Sequence, residues 1–471
     1  MTHQDHGRRG SSCSHAGDLH QALQWLLKGI SFETIGLRPN CTWTPRSLIY
    51  AALLWAWSDE RTLMERFSTA RKIIINCFGR QQEPAESYQA FIKLLGKWTG
   101  PLMHLLQTGF RKRMAQALGG VWKVAGWVVF AADGSKVDVP KTCKNEERYS
   151  PKSKLSRQAQ KRRRKSKRRR SQETARQRKA NVPRIWITAV WHVGSGLIWD
   201  WLTGPSDSSE RAHLQAMLPN LPPKSLVTAD AGFTGYEFWK TILDAGHQLL
   251  VRVGSNVKLL KNLGYARERE DLVYLWPDRA AKKRLPPLVL RLVVVSGGKH
   301  PVYLITSILN PRRLSDAQVV RVYRRRWGIE VYYRHCKQTF ERRKLRSHNP
   351  DNAMIELHWS LLGMWAMGLH SHHRLVRQGI MPERISFAGL LRAYRRPMRE
   401  YKSRPDPGER LTELLDRAIL DPYKRKNKTS RDYPRKKQEQ AAGPPIILKA
   451  TRSQIAIAKE LKTQHNKRLT A

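Results

Sequence analysis

At 471 residues the chain is long enough for two or three domains and a sizeable core, and 40% hydrophobic content requires that much of it be globular. Only 38 acidic residues stand against 87 lysines and arginines. The resulting formal charge of +49 repels itself unless a polyanion neutralises it, with nucleic acid the leading candidate and an anionic membrane surface the lesser one. No spanning helix and no secretory signal are expected, since there is no long uninterrupted apolar run and no apolar N-terminal core, and five scattered cysteines without zinc-type spacing read as reduced, as expected of a cytoplasmic or nucleoid-associated protein.

Residues 1–17 are polar and expected to be loose; from Asp18 to Gly120 the pattern is helical. "TPRSLIYAALLWAWSDERTLMERF" opens with a Thr44 cap and Pro45 at the first helical position, and Ser58 is placed to cap the next helix. "ESYQAFIKLLGKWTGPLMHLLQTGFRKRM" continues with helical spacing to a basic end. The unit 18–120 is therefore expected to be all-helical, with an outline that DNA-binding modules share with simple bundles; we take DNA binding as its role.

At Val121 the pattern changes. "WVVFAADGSKVDV" is an apolar run rich in branched and aromatic residues, read as a buried strand ending at Asp133-Gly134. The tract "KSKLSRQAQKRRRKSKRRRSQ" is almost free of acidic and apolar residues, so 152–180 is expected to be a disordered basic loop. It is either a solvated charge run or, preferably, a loop that lies on DNA phosphates. "RIWITAVWHVGSGLIWDWLTG" is a hairpin turning at Gly194-Ser195-Gly196, "SSERAHLQAMLPNL" a capped helix, and "KSLVTADAGF" a strand ending at Asp230. "TGYEFWKTILDAG" is a helix with a glycine stop and "HQLLVRVGS" another strand. Residues 254–300 hold strand-like pieces and no clear helix, a β-rich insertion before "VYLITSIL". From Ser315 helical periodicity runs through "YRRRWGIEVYYRHCK", and a second helix covers 351–377. The remainder, 376–471, is a basic region with "LTELLDRAIL" as its one short helix.

Alternating strands and helices with carboxylates at two strand ends predict an α/β domain that binds its ligand at the sheet edge. Asp133 and Asp230 each sit beside small residues that leave a ligand room, and Glu330 can supply a third arm. Oxygen ligands without Cys or His favour Mg²⁺ or Mn²⁺ over zinc. Two such ions about 3.5–4 Å apart can activate a water or a 3′-hydroxyl and stabilise the leaving oxygen. At about 100° per residue, Tyr323, Arg326, Glu330 and Lys337 share one helix face, which would offer a ring, a carboxylate and two phosphate-type cations together. The rival reading is an exposed i, i+4 ladder of Glu330 with Arg326 and Arg334, stabilising by a few tenths of about a kcal/mol per pair. Asp138, an odd offset of five from Asp133, falls on the opposite strand face and is set aside. Glu210 reads as a helix N-terminal acid, and His370, His372 and His373 as helix-surface residues rather than a metal cluster. The tryptophans at 55, 57, 98, 122, 127, 186, 191, 199 and 201 are expected to be core and hairpin packing residues.

Tyr323, Arg326, Glu330 and Lys337 match, at every spacing, the Tyr-x2-Arg-x3-Glu-x6-Lys signature of DDE transposases of the insertion sequence four family. "AADGSKVDV" resembles that family's first-aspartate strand, "VTADAGFTG" its second-aspartate motif, and "LLVRVGSN" the segment after it. The resemblance covers roughly residues 121–375. It implies a ribonuclease-H-like catalytic core with the β-rich insertion at 254–300. It also implies two Mg²⁺ or Mn²⁺ ions on Asp133, Asp230 and Glu330, and DNA contacts from Tyr323, Arg326, Lys337 and Arg252. The activity implied is cutting of element ends and joining of their 3′-hydroxyls to target DNA, by a homodimer on double-stranded DNA carrying terminal inverted repeats, with no membrane partner. Some members stack a flipped base on a tryptophan of the insertion, where Trp276 is the only one here. Two other readings stay open: a ribonuclease-H-like nuclease or resolvase without strand transfer, and a non-enzymatic basic nucleic-acid-binding protein whose carboxylates are structural.

Overall fold

A computed structural model describes residues 14–38, 41–78, 84–151, 182–296, 300–420 and 443–470. The basic tract expected to form a loop at 152–180 lies outside them. The first helix, α1 (His15–Leu27), starts inside the stretch expected to be loose, because the Ser14 hydroxyl accepts from the Gly17 amide. Thr44 and Ser47 form a reciprocal capping box for α2 (Pro45–Trp57). Ser58 closes α2 instead of opening the next helix: its amide donates to Leu54 O. The start of α3 (Leu63–Phe78) is made by Thr62 and Glu65, whose side chains each accept from the other's amide. The long α4 (Tyr88–Ala117) carries Pro101 inside it.

These helices share one core with α11 (Pro350–Arg377, numbered in chain order with the helices described below). Trp57 Nε1 donates to Gly363 O at 2.8 Å, Trp359 Nε1 to Thr99 Oγ1 at 2.9 Å, and the Phe110 and Trp365 rings meet edge-on.

The protein is mixed α/β around a ten-stranded sheet. At one end lie β3 (Leu197–Gly204), β2 (Arg184–His192), β1 (Val129–Asp138), β4 (Leu226–Ala229) and β5 (Gln248–Val253), in that spatial order. β1, β2 and β3 are antiparallel neighbours, whereas β4 and β5 run parallel to β1. The parallel strands need crossovers, supplied by α6 (Glu210–Met217) before β4 and α7 (Tyr236–Asp244) before β5. A further short helix, α5 (Cys143–Tyr149), follows β1. β1 does not end at Asp133 as expected. It continues to Asp138 because β2 pairs with it throughout, and burial is complete over its first four residues and again at Val137.

Past β5 the sheet runs through β9 (Val302–Thr306), β8 (Leu288–Val295), β7 (Leu272–Leu275) and β6 (Lys258–Lys261), each antiparallel to the last. Within 254–300 there is also one short helix, α8 (Asp278–Lys282), which the sequence reading missed. Trp276 is buried there, its indole N–H donating to Leu285 O at 2.8 Å, so it is a packing residue with no face free for a base.

The C-terminal region holds more structure than one short helix. It contains α12 (Phe387–Arg399), α13 (Leu411–Asp416), β10 (Ile446–Lys449) and α14 (Arg452–Thr470), and β10 adds in parallel to β6 at the sheet edge. Of the three histidines of α11, His372 is buried and His370 and His373 are half-buried. His370 shares a hydrogen bond with Tyr394 of α12, His372 donates to Ser195 O, and His373 stacks on Trp25. Burial lowers the pKa of His370 and His372 to about 4, so both are neutral packing residues. Among the described residues no helix is long and apolar enough to cross a membrane.

Candidate active site

The sheet register decides where the two aspartates go. β1 and β4 pair in parallel only at Val129–Leu226, Phe130–Val227 and Ala131–Thr228. Asp133 and Asp230 each lie two residues past the last of these pairs, so the period of two puts both on one side at the point where the strands splay apart. Each carboxylate is steadied by a nearby amide: Asp133 Oδ1 accepts from Gly134 at 2.9 Å and Asp230 Oδ1 from Gly232 at 2.8 Å. Asp138 is engaged elsewhere, paired with Arg184 at 2.8 Å.

Glu330 arrives on a segment that is not the single continuous helix expected. α9 (Asp316–Arg325) ends in a turn at Arg326 and Trp327, α10 (Gly328–Arg334) follows, and residues His335–Thr339 wind as a wider π turn. Just past the break the helix packs closely on the sheet. A side chain at Gly328 would overlap the Trp191 ring, so glycine lets α10 press against β2. Tyr333 then ties α10 to the sheet, its buried hydroxyl donating to Asp133 O at 2.9 Å, with a longer contact to Ile187 O. The π turn re-aims Lys337, whose ammonium donates to Ser135 Oγ at 2.7 Å. Ser135 is two residues from Asp133 on the same strand face.

Half of the rival ion-pair ladder exists, and it is mostly buried. Arg326 donates to Glu330 Oε1 at 2.8 Å, its own side chain only 9% exposed, and stacks over the Tyr323 ring. Burial opposes the Arg326 charge, but Tyr323, Glu330 and Asp133 together hold its pKa above the ordinary value. Tyr323 is raised by burial, while its field comes from Arg326, Arg252 and Asp230. Burial lowers Lys337. Asp133 is pushed up to about 6, first by burial and further by the negative charges of Asp230 and Glu330, against the Gly134 amide and Arg326. Asp133 is thus coupled by charge to Asp230, Glu330 and Arg326, Lys337 reaches the same strand through Ser135, and Arg252, on β5, is coupled to Tyr323.

One residue here was read otherwise from sequence. Glu210 does occupy the first turn of α6, which Ser209 caps by accepting from Ala212 N. Yet its carboxylate also reaches β1 beside Asp133: a Cβ built on Gly134 would be 2.5 Å from Glu210 Oε1. Its pKa is pushed up to about 7 by burial, then by Asp133 and Asp230, with Arg211 and Lys136 opposing. The available signal was topological. A helix that carries the chain from β3 to a strand parallel to β1 must begin at the sheet end where Asp230 sits.

The donors here are carboxylate oxygens, without sulfur or imidazole, a chemistry that suits a hard divalent cation of the Mg²⁺ or Mn²⁺ type, although no three of these carboxylates have oxygens within 4.8 Å of one another. The mutual repulsion that raises Asp133 is of the kind such a cation relieves.

Residues 127–365 match the family model for the transposase DDE domain. The transposase InsG for insertion sequence element IS4 of Escherichia coli (strain K12) is 24% identical over 218 residues, which is 44% of this chain and 48% of that protein. The chain thus spans about half the length of this curated relative. A solved piggyBac transposase synaptic complex with hairpin DNA covers 89% of this chain and 87% of its own, at 12% identity and a TM-score of 0.39, too low to bear on the fold.

Proposed function

The chain belongs to the transposase DDE-domain family, and we propose that it is the DNA transposase of an insertion sequence, cutting element ends and joining their 3′-hydroxyls to target DNA. The observation that supports this reading is the charge coupling of Asp133 to Asp230 and Glu330 near the point where β1 and β4 stop pairing, with Lys337 reaching the same strand. The strand order β3-β2-β1-β4-β5, three antiparallel strands followed by two parallel to the first, supports a ribonuclease-H-like core within 121–375. On this reading 18–120 is a DNA-binding unit, 254–300 an insertion and 376–471 a basic appendage.

Asp133, Asp230 and Glu330 hold two divalent cations, Mg²⁺ or Mn²⁺. When bound, these supply Lewis-acid activation of a water or 3′-hydroxyl and stabilisation of the leaving oxygen. Arg326 fixes the Glu330 rotamer through their ion pair, and the Tyr323 ring holds Arg326 in turn. Tyr323, Arg326, Lys337 and Arg252 line the approach of the DNA backbone, where cations neutralise phosphates. The charge of +49 supports double-stranded DNA as partner, both terminal inverted repeats and target, with binding that weakens steeply as salt rises. A homodimer bridging two element ends completes the reading.

The test begins in the flanking DNA, where short inverted repeats bracketing the reading frame, with a target duplication outside them, define the substrate. Full-length protein with Mg²⁺ and a duplex carrying such an end is expected to give nicked, then joined, product. Asp230→Ala and Glu330→Ala are expected to lose both steps while retaining DNA at low salt. Cutting that never yields joined product would favour a nuclease or resolvase. Activity indifferent to both substitutions would make the carboxylates structural, and binding lost in step with cleavage would also count against this reading.

A further inference from the structure

Among the described residues one set of His, Cys, Asp and Glu side chains gathers closely enough for a single ion, and it belongs to helices α1, α12 and α13 rather than to the sheet. A ligand atom each from His15, Glu400 and Glu409 falls within 4.8 Å of the other two. Backbone bonds put them there. The amides of His15 and Ala16, at the start of α1, donate to Ser403 O at 3.1 Å and Tyr401 O at 3.3 Å, which holds the segment after α12 against that helix end. Asp18, one turn on, accepts from Arg410 at 2.7 Å and from the Leu411 amide at 3.0 Å. These attachments bracket the segment, so Glu400, just past α12, and Glu409, just before α13, are both brought to His15.

Acids gather at a helix start for electrostatic reasons alone, but two features go beyond that. First, His15 is only 1% exposed and makes no hydrogen bond with a described residue at either ring nitrogen. Its Nδ1 is buried without a partner, and its Nε2 stands 3.7 Å from Glu400 Oε2, beyond hydrogen-bond reach. A buried imidazole needs its lone pair engaged, and a cation does this where no donor is present. Second, Arg396 fixes both carboxylates without using the Glu400 oxygen that faces His15. It takes Glu400 through Oε1 at 3.0 Å and Glu409 through both oxygens, at 2.9 and 3.3 Å. Two glutamates against one arginine leave a net negative charge beside the ring. One imidazole with two carboxylates suits Zn²⁺ better than Mg²⁺. Ligand atoms about 2.0–2.1 Å from a tetrahedral zinc stand about 3.3–3.4 Å apart. The His15–Glu400 pair is already near that separation. The Glu400 and Glu409 side chains, 38% and 31% exposed, have room to close on the ion and to leave the fourth position to water.

We propose that His15, Glu400 and Glu409 form a structural Zn²⁺ site that fastens α1 to the segment between α12 and α13, with Arg396 orienting the carboxylates. The site is separate from Asp133, Asp230 and Glu330, and the test keeps the two apart. Zn²⁺ is titrated into metal-free, full-length protein carrying Asp133→Asn and Asp230→Asn, with a chromophoric chelator reporting free Zn²⁺. One equivalent is expected to bind this parent and to raise its thermal midpoint. His15→Gln and Glu409→Gln, each added to the parent, are expected to weaken Zn²⁺ binding by more than about tenfold and to abolish the rise. Midpoints in EDTA show that the variants are folded. Glu409→Gln changes a part-exposed side chain, so its midpoint in EDTA is expected to match the parent's even if the buried His15→Gln change lowers its own. Failure of the parent to bind Zn²⁺, or an equivalent that survives either substitution at parental affinity, would overturn the assignment without touching the catalytic reading.

Discussion

The two flanks of the gap between Asp133 and Asp230 are built on different plans. On the Glu330 flank every functional side chain is tied down: α10 is pressed on Trp191 through Gly328, Tyr333 bonds Asp133 O, Lys337 bonds Ser135, and Arg326 grips Glu330. On the Glu210 flank the helix is fixed by its Ser209 cap and the His213–Thr188 bond, while the carboxylate itself makes no hydrogen bond or ion pair with a described residue. The contrast separates two ways of positioning an anion. One flank fixes the group, at the cost of engaging its lone pairs; the other fixes only the backbone and leaves the lone pairs for whatever enters the gap.

The sharpest way to break the fixed flank is at Gly328. A methyl there meets the rigid Trp191 ring, so α10 must lift or Trp191 must move. Gly328→Ala is expected to destabilise by about 1–3 kcal/mol and to cut the cleavage rate by about 100-fold or more, since a displacement of about 1 Å is that costly to catalytic geometry. Gly328→Ala combined with Trp191→Leu should recover part of both. Thermal midpoints and single-turnover cleavage, measured on singles and double, read the coupling; strict additivity would mean that the contact does not position Glu330.

A second effect sits between the flanks, at Asp133. Its folded pKa near 6 exceeds the ordinary value of 3.8. Between those two pH values the folded protein keeps a proton that the unfolded chain has lost. Stability from this group is therefore present at low pH, falls as pH rises through that window, and is flat above it. Asp133→Asn removes the penalty. Metal-free Asp133→Asn protein should be more stable than wild type at pH 7.5 by up to about 2–3 kcal/mol and equal to it near pH 4, while cleavage is lost. Denaturant midpoints in EDTA at the two pH values test this, and a variant no more stable at pH 7.5 would mean that Asp133 carries no such strain.

Much of this arrangement was legible in the sequence. Strands such as 184–192 and 197–204 announced themselves by branched and aromatic runs around a glycine turn, and so did the positions of Asp133, Asp230 and Glu330 along the chain. Three kinds of information were not local. The splay that brings Asp133 beside Asp230 depends on how far β1 and β4 pair, which no single segment encodes. The close approach of Gly328 to Trp191, more than a hundred residues away, and the turn and π segment on either side of α10 are not written in local spacing, so periodicity alone gave one smooth helix. β10 consists of four exposed residues whose strand conformation comes from pairing with β6, so a basic C-terminal stretch read by composition gave no strand. Glu210 belongs with these: its type and its cap were visible, but its destination was a property of the crossover.

A smaller effect probes how rigid the fixed flank must be. Tyr333→Phe deletes a buried donor to Asp133 O without changing the ring's packing, and is expected to cost about 1–2 kcal/mol, because the carbonyl keeps only its remaining partners. If α10 is held mainly by shape against Trp191, cleavage should fall by less than about tenfold, well short of the Gly328→Ala loss. Mn²⁺ binding should be unchanged, because no carboxylate has been removed. Should Tyr333→Phe instead slow cleavage as much as Gly328→Ala at equal stability, the hydrogen bond rather than the close packing sets the position of Glu330. The fixed flank would then be a single tether, closer in kind to the Glu210 flank than the number of its contacts implies.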